Sequence, residues 1–487
     1  MKKTSNSIVS NTKEKRKNKL SKLKVSATVF ALLCSSMLVM SGKQIEAEEV
    51  DYQGESFETG AYQHDASAPY GYNFSQNSPY ASTKTNKVNW TFSLPYEEKT
   101  GSSIKQFWGK PAIDKDGTVY MNNQNGYMYA INPDGTEKWK LKMDGWNHRT
   151  NVIGSDGTIY NASGKLHALN PDGTEKWVAT ATSGYSIFSE PSIDKDGSIY
   201  TINDAESKLY IFNPDGSLKL KGPDLSAFGA TIAYERGMLI GKNGNLYVLM
   251  AKNSRNFVVA LDKSGNKVWS REMKGLYLYY GMDQKGDLFT TTVVGSQSFI
   301  HKLDGKTGDI LAEKMYNTYA VNNPIIDYVN GDVYINVAQK LTKFDNNLNV
   351  IWEKPYASVG EVTIDKNRDI VFAAPTGVYK LSKDGEEIWK LDYKTLAEGV
   401  LSVGQYNPTI DKEGKVYLAY SSYDAKGKTF YNLISIGDPV EQPIDFCSYY
   451  GSLEKKLNDK TLTKEEQTKA IEKTEKLLDQ LKSYSAE

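Results

Sequence analysis

The chain offers few side chains for acid–base, nucleophilic or metal chemistry. Its 487 residues include four histidines and two cysteines. These are His64, His148, His167, His301, Cys34 and Cys447. The histidines lie in different segments, so a histidine metal cluster or a Ser/His/Asp relay has little material. The sequence therefore leans away from catalysis, and no catalytic residue is predicted.

Two DKDG sequences, at residues 114–117 and 194–197, are candidates for Ca²⁺ binding, because this cation prefers clustered oxygen ligands. Each supplies two carboxylates but lacks a distal Glu in the register of an EF-hand loop. A tight turn stabilised by Asp is the better interpretation. We therefore predict no metal site.

These turns belong to a repeat that recurs at spacings of roughly forty residues almost to the end of the chain. Its clearest copy, residues 111–139, reads PAIDKDGTVYMNNQNGYMYAINPDGTEKW. It predicts four short strands, at 111–114, 118–122, 127–132 and 137–141, separated by Asp-Gly, Asn-Gly and Pro-Asp-Gly turns. The strands are rich in Val, Ile, Tyr and Trp and alternate in polarity. A tandem four-stranded antiparallel unit of this length is typical of a propeller blade.

Eight copies align on a Gly and on the residue three positions later, which is usually aromatic. The pairs are Gly117 and Tyr120, Gly157 and Tyr160, Gly197 and Tyr200, Gly244 and Tyr247, Gly286 and Phe289, Gly331 and Tyr334, and Gly414 and Tyr417. A degenerate copy has Arg368 and Val371 in these places. The outermost strand carries Trp139, Trp177, Trp269, Trp352 and Trp389, with Leu220 and Ala312 in two weaker copies.

One tryptophan, Trp90, has no blade of its own, whereas the last copy, residues 408–436, has only three inner strands. We therefore predict that the segment around Trp90 supplies the outer strand of the eighth blade. Such a strand closes the ring and removes an open sheet edge. The predicted fold is an all-β eight-bladed propeller of four-stranded antiparallel blades over residues 87–437, closed by an N-terminal strand.

The N-terminus has the pattern of a secretory signal. Residues 1–24 carry nine Lys or Arg against one Glu, and residues 25–40 form an apolar run. We predict a signal peptide over residues 1–47, with cleavage after Ala47. Since sixteen residues are short for a spanning helix, an uncleaved anchor is the lesser alternative. The bulky Leu33 before Cys34 argues against lipid attachment, so the protein is expected to be secreted or associated with the cell wall.

The charge balance argues against nucleic acid as a partner. The chain has 59 basic and 59 acidic residues, of which ten and two lie in residues 1–47. The remainder therefore carries eight net negative charges, whereas binding by phosphate neutralisation calls for a basic face.

Two segments flank the predicted propeller. Residues 48–86 are rich in Tyr, Ser, Asn, Gln, Gly and Pro, which predicts a flexible arm, or else an arm whose tyrosines contact the propeller, a wall polymer or a partner. Residues 438–487 read as a small helical tail with a capping box at Thr463 and Glu466. A hairpin packed on the propeller and an exposed partner-binding helix both fit this tail. A monomer is expected, unless Cys447 pairs between two chains.

The blade endings resemble the docking pattern of the pyrroloquinoline-quinone-like propeller family. They read AINPDGTEKW at 130–139, ALNPDGTEKW at 168–177 and ALDKSGNKVW at 260–269. The resemblance covers nearly the whole mature chain and implies the propeller fold. The family includes quinone-dependent alcohol dehydrogenases. It also includes cofactor-free scaffolds, among them the propeller lipoprotein of the Gram-negative outer-membrane assembly machine and secreted Gram-positive proteins.

Membership of the dehydrogenase branch would imply a quinone held between a Trp and a disulfide of adjacent cysteines, with Ca²⁺ bound by Glu, Asn and a catalytic Asp. This sequence has no adjacent cysteine pair. Some quinoproteins lack that disulfide, so a quinone-dependent dehydrogenase remains an alternative. We predict no cofactor.

Aromatic residues recur where one predicted blade crosses to the next. The candidate binding residues are Trp108, Trp146, His148, Arg149, Tyr185, Phe188, Tyr277, Tyr319, Tyr356 and Tyr406. Around a channel mouth they would form an aromatic ring suited to a peptide or a sugar, whereas the alternative is that they seal the gaps between blades. The expected function is a cofactor-free scaffold that binds a protein or a cell-envelope polymer, with carbohydrate binding as a further alternative.

Overall fold

The computed structural model describes residues 77–438 except 95–105, 145–149, 163, 181–187, 195, 204, 229, 232–236, 242, 254, 319–322, 358–359, 397–398 and 404–407. The predicted signal peptide, most of the predicted arm and the predicted tail beyond residue 438 lie outside these ranges. Within the described ranges, no helix has the length and apolar character needed to span a membrane.

The described strands form eight antiparallel sheets. The first strand, β1 (Val88–Ser93), belongs to the last sheet. Blade 1 has β2 (Phe107–Ile113), β3 (Val119–Asn123), β4 (Tyr127–Ile131) and β5 (Glu137–Lys142). Blade 2 has β6 (Val152–Ile153), β7 (Ile159–Ala162), β8 (Leu166–Leu169) and β9 (Glu175–Ala179). Blade 3 has β10 (Ser192–Ile193), β11 (Ile199–Asn203), β12 (Lys208–Phe212) and β13 (Leu218–Asp224).

The middle blades follow the same order. Blade 4 has β14 (Ala230–Thr231), β15 (Leu239–Ile240), β16 (Leu246–Lys252), β17 (Arg255–Leu261) and β18 (Lys267–Met273). Blade 5 has β19 (Leu276–Met282), β20 (Leu288–Val294), β21 (Gln297–Leu303) and β22 (Ile310–Tyr316). Blade 6 has β23 (Ile325–Ile326), β24 (Val333–Val337), β25 (Lys340–Phe344) and β26 (Val350–Lys354).

Blade 7 has β27 (Thr363–Ile364), β28 (Ile370–Ala374), β29 (Gly377–Leu381) and β30 (Glu387–Asp392). Blade 8 has β31 (Gly399–Val403), β32 (Thr409–Ile410), β33 (Val416–Tyr423) and β34 (Thr429–Ile436), with β1 paired antiparallel to β34. Short 3₁₀ turns lie at Ser226–Phe228 and Tyr393–Thr395. The eight sheets confirm the predicted eight-bladed propeller of four-stranded antiparallel blades.

The turn between the first two strands of a blade is organised by an Asp. In blade 1, the Asp114 carboxylate accepts hydrogen bonds from the backbone N–H groups of Asp116 at 2.9 Å and Thr118 at 2.8 Å. Gly117 closes the turn at φ +80°, where a side chain would be strained. The DKDG carboxylate therefore orders its own backbone, as an Asp-stabilised turn does.

The core lies between adjacent sheets and repeats from blade to blade. Tyr120 is fully buried and packs 5.8 Å from Trp139, and Tyr334 is placed in the same way against Trp352, measured between ring centroids. Such aromatic pairs contribute about 1 kcal/mol beyond their burial. The repeated Tyr and Trp of the sequence therefore form the layer that joins second and fourth strands.

The outer-strand tryptophans, except Trp389, also dock on the next blade. The indole N–H of Trp139 donates to the carbonyl oxygen of Pro171 at 3.0 Å, and that of Trp177 donates to Pro214 at 2.9 Å. A side chain on Gly173 would lie 2.9 Å from the Trp139 ring, so this turn position needs glycine. The same bond recurs from Trp90 to Pro133, Trp269 to Gly305, Trp352 to Lys383 and Trp389 to Thr83.

Residues 77–86, the end of the predicted arm, lie along blades 6, 7 and 8. Ser78 N–H donates to the carbonyl oxygen of Ile364, and Thr83 N–H donates to that of Gly414, each at 2.7 Å. The side chain of Ser82 reaches the turn carboxylate of blade 7, because its hydroxyl donates to Asp365 at 2.6 Å. This segment is called the strap below.

The strap explains the degenerate seventh copy. In blades 1 and 8 the turn carboxylates of Asp114 and Asp411 accept the hydroxyl of their own blade's tyrosine at 2.7 Å. Blade 7 has Val371 in place of that tyrosine. Ser82 of the strap supplies the missing hydroxyl.

Candidate functional site

Most of the predicted binding residues lie outside the described side chains. Residues Trp146, His148, Arg149, Tyr185, Tyr319 and Tyr406 lie outside the described ranges. Trp108 lies on β2 and Tyr277 on β19, but their side chains are not among those described. These eight residues therefore stay a prediction.

The two predicted residues whose side chains are described, Phe188 and Tyr356, both pack within the propeller. Phe188 is fully buried, and its ring packs edge-on against Tyr210 at 5.6 Å and Phe212 at 6.0 Å. Tyr356 is half-buried, with ring centroids 5.1 Å from Phe372 and 4.9 Å from Tyr379. Phe188 is therefore not accessible to a ligand, and both residues fit the alternative interpretation that crossing aromatics seal gaps between blades.

A buried charged cluster lies where the inner strands begin. Lys110 Nζ is 2.7 Å from a carboxylate oxygen of Glu361, and the two side chains are 4% and 8% exposed. The other oxygen of Glu361 accepts a hydrogen bond from the amide of Asn323. Lys110 N–H also bonds to the Thr150 hydroxyl at 3.2 Å. The cluster therefore joins blades 1, 2, 6 and 7 through groups that neutralise or bond one another.

Sequence reasoning missed this cluster, although a signal was present. Lys110, Thr150, Asn323 and Glu361 all lie four residues before the first residue of the inner turn, and so does the fully buried Glu190. A polar residue at this position is unexpected beside a buried strand. Because a buried ion pair is costly to break, we assign the Lys110 and Glu361 pair to holding the blades together.

A second set of lysines divides the propeller into two groups of blades. In blades 1 to 3 a lysine of the outer strand binds a hydroxyl at the inner turn. Lys138 Nζ lies 3.3 Å from Thr118, and Lys176 Nζ lies 2.9 Å from Thr158. Lys219 Nζ lies 2.7 Å from Ser198. Each of these lysines lies on the outer strand, and its ammonium group contacts the turn.

In blades 5 to 7 the same turn position is an Asp, and its lysine comes from the buried third strand. The pairs are Lys302 with Asp287 at 3.2 Å, Lys343 with Asp332 at 3.0 Å, and Lys380 with Asp369 at 3.3 Å. The lysine side chains are at most 8% exposed. The cation at this turn is therefore a surface lysine in blades 1 to 3 and a buried lysine in blades 5 to 7.

That exchange changes the outer surface of blades 5 to 7. Lys138 directly precedes the outer-strand tryptophan of blade 1. The equivalent residues of blades 5, 6 and 7 are Leu311, Ile351 and Ile388, which are 52%, 49% and 42% exposed. Further exposed apolar residues on the same outer strands are Ile310, Met315 and Val350. Large contiguous patches of exposed apolar side chains mark interaction sites on soluble proteins. We call these six residues the apolar flank.

The apolar flank lies on adjacent blades that are tied together at their edges. Lys314 of β22 donates to the carbonyl oxygen of Leu348 in blade 6 at 3.2 Å. Lys354 of β26 lies 3.2 Å from Glu386 in blade 7. The three outer strands are therefore held in a fixed sequence around the propeller.

Among the described residues, no three His, Cys, Asp or Glu side chains are grouped in a way that could hold a metal ion. His167 and His301 are both nearly buried and each lies 3.1 Å from a carboxylate of its own blade's outer strand, Glu175 and Glu313 respectively.

Comparison with known proteins gives little beyond the fold. No family model matches the chain. The uncharacterized protein YxaL of Bacillus subtilis is 34% identical over 83 residues, which is 17% of this chain and 18% of that protein. The chain is thus matched to less than a fifth of this relative's length.

Solved structures of other propellers are similar only in outline. BamB from Moraxella catarrhalis is 15% identical with a TM-score of 0.45, over 72% of this chain and 99% of that one. The Dos1 propeller is 9% identical with a TM-score of 0.46, over 73% and 93%. An inactive virginiamycin B lyase from Staphylococcus aureus is 14% identical with a TM-score of 0.40, over 58% and 96%. Similarities of this size do not indicate a shared function.

Proposed function

We propose that this chain is an exported, non-catalytic propeller that binds a protein through the apolar flank of blades 5 to 7. The observation that carries the proposal is the contrast at one repeated position, which is Lys138, Lys176 and Lys219 in blades 1 to 3 but Leu311, Ile351 and Ile388 in blades 5 to 7. Export rests on the basic N-terminus and the apolar run of residues 25–40.

The physical argument is one of surface free energy. An exposed Leu or Ile gains about 1 to 3 kcal/mol when a partner buries it, so a few such residues are enough to anchor an interface. Lysines on edge strands have the opposite effect, since they resist pairing with another chain. At this position blades 1 to 3 therefore carry lysines that resist association, whereas blades 5 to 7 carry exposed apolar side chains that a partner can bury.

Site-specific cross-linking tests this function. A photoreactive amino acid would replace Ile351 in the full-length protein, with Lys138 replaced in the same way as the matched control. After irradiation of producing cells and their medium, we expect a defined protein adduct from position 351 and none from position 138. Adducts of equal yield from both positions, or retention by the wall polymer in place of any protein, would overturn protein binding by this surface.

We further propose that β1 closes the ring of blades. Support comes from the pairing of β1 with β34, with Trp90 opposite Ser435, and from the bond of Trp90 to Pro133 in blade 1. Changing Trp90 to Ala removes this bond and the packing of the indole. We therefore expect a loss of unfolding free energy at least as large as that of Trp177→Ala, with both variants measured by urea unfolding. A much smaller loss at Trp90 would argue against closure.

A further inference from the structure

The outer strand of blade 5 has an open edge. In the described part of the chain, the sheet order of blade 5 is β19, β20, β21 and β22, so β22 pairs with β21 on one side only. Its sequence, ILAEKMY, carries Ala312 where most blades have the docking tryptophan. An edge strand of seven residues is long enough to accept another strand.

The two faces of β22 differ. Ala312 and Tyr316 pack on blade 6, where the Tyr316 ring lies 6.4 Å from that of Phe344. The alternate residues, Leu311, Glu313 and Met315, are exposed. One face is therefore fixed to the propeller, and the other presents a carboxylate between two apolar side chains.

The carboxylate of Glu313 lies at the centre of this face. Glu313 lies 3.1 Å from Nδ1 of His301, but the two groups are not aligned for a hydrogen bond. Burial lowers the pKa of His301, so the imidazole is neutral at neutral pH. Glu313 is half exposed and can attract a cationic group from outside.

None of the other described blades combines these features. Outer strands β5 and β13 present lysines on the matching face, Lys138 and Lys140 in β5 and Lys219 and Lys221 in β13. In β26 the apolar Ile351 is followed by Glu353, whose carboxylate is 2.6 Å from Lys340 of its own blade. Among the described outer strands, β22 alone alternates an apolar residue, an acid and an apolar residue on its exposed face.

We infer that the edge of β22 binds an extended segment of the partner protein, in which a Lys or Arg lies two residues from an apolar residue on each side. The basic side chain would pair with Glu313, and the apolar side chains would cover Leu311 and Met315. The backbone of the segment would add a fifth strand to blade 5. This inference rests on the proposed function and names its binding mode and the chemistry of the partner.

A short labelled peptide tests it. The probe is a fluorescein-labelled peptide with the central sequence Val-Thr-Lys-Thr-Val, and binding to the full-length protein is followed by fluorescence anisotropy. We expect saturable binding that weakens at least tenfold in Leu311→Lys. The matched control is Leu218→Lys, since Leu218 has the same 52% exposure on the outer strand of blade 3, and we expect less than a twofold change there.

Charge reversal makes the test specific for strand register. Glu313→Lys should weaken binding of the Lys-centred peptide at least tenfold and favour a Glu-centred peptide of otherwise identical sequence. Equal weakening by Leu218→Lys, or no change of preference in Glu313→Lys, would overturn the inference. Concentration-dependent dimerisation that Leu311→Lys abolishes, without peptide binding, would also overturn it, because the occupant would then be a second copy of this chain.

The two proposals fail in distinguishable ways. A protein adduct from position 351 together with no peptide binding would retain the proposed function and remove strand addition. Peptide binding that changes in Leu311→Lys and Glu313→Lys as expected, without any protein adduct, would retain the edge site and overturn the proposed function. Failure of both measurements would overturn both.

Discussion

Blades 1 to 3 and blades 5 to 7 solve the same local problem with different lysines. In these six blades a lysine binds a polar side chain at the inner turn. Blades 1 to 3 use a surface lysine such as Lys176, whereas blades 5 to 7 use a buried lysine such as Lys343. In these six blades a surface lysine accompanies a hydroxyl at the turn, and an exposed apolar residue accompanies a buried lysine.

The largest expected contrast is between those two lysines. Lys343→Ala would remove the cation 3.0 Å from Asp332, which is 10% exposed, and leave that carboxylate only Arg368 at 3.5 Å, so we expect a loss of about 2 to 3 kcal/mol in unfolding free energy. Lys176→Ala removes a pair that is 34% and 49% exposed, so we expect a loss of at most about 1 kcal/mol. Urea unfolding of both variants measures the difference. Equal losses would break the comparison.

Blade 8 lies between the two groups and has neither lysine arrangement, because Ser435 is opposite Trp90. Its turn carboxylate, Asp411, is buried, and burial raises its pKa to about 6. The carboxyl is therefore protonated more readily in the folded than in the unfolded chain. The stability contributed by protonated Asp411 is therefore present below about pH 4 and is lost as the pH rises through 6.

We therefore expect a contribution of about 2 to 3 kcal/mol that disappears between pH 4 and 7 and that Asp411→Asn removes. Urea midpoints at pH 4.5 and 7.5, for the natural chain and for Asp411→Asn, measure it. The same pH slope in both proteins would show that Asp411 does not titrate in this way.

A smaller effect concerns the hydroxyl donated to the turn carboxylate. Tyr120→Phe in blade 1 and Ser82→Ala in the strap each remove one bond to a buried Asp, of 2.7 Å and 2.6 Å. We expect each to cost about 1 to 2 kcal/mol in urea unfolding, because the bond is to a charged group. A negligible loss in Ser82→Ala alone would mean that the strap N–H and Lys380 are sufficient for Asp365.

The smallest stability effect belongs to the flank itself. Ile351→Lys places a lysine where blades 1 to 3 have one, and the side chain is half exposed, so unfolding free energy should change by no more than about 0.5 kcal/mol. With the photoreactive amino acid at position 388 of the same flank, Ile351→Lys should lose the protein adduct expected from this surface. A large destabilisation would show that Ile351 serves packing and not recognition.

Much of the fold could be predicted because its signals are local. Gly117 at positive φ, Tyr120 of β3 and the tryptophan of β5 all lie within one repeat, so the number of repeats predicted the number of blades. Leu220 and Ala312 were placed correctly for the same reason, since each lies opposite the third strand in the register of Trp139.

The candidate site could not be predicted in the same way. Leu311 and Ile351 read as ordinary strand residues, and only their exposure distinguishes them from the core. The aromatics at the blade crossings looked like contact residues, yet Phe188 proved to be fully buried. Periodicity tells which face of a strand a residue takes, but not which faces are left uncovered.

By itself, the sequence determined the repeat, the number of blades and the position of the turns, because these depend on residues within about ten positions of one another. The tertiary structure decided which distant groups meet. Lys110 and Glu361 are 251 positions apart, and Ser82 and Asp365 are 283 apart. Such pairs form only when the blades are brought together, so no local pattern records them, and the uncovered apolar flank becomes visible only once the ring of blades is in place.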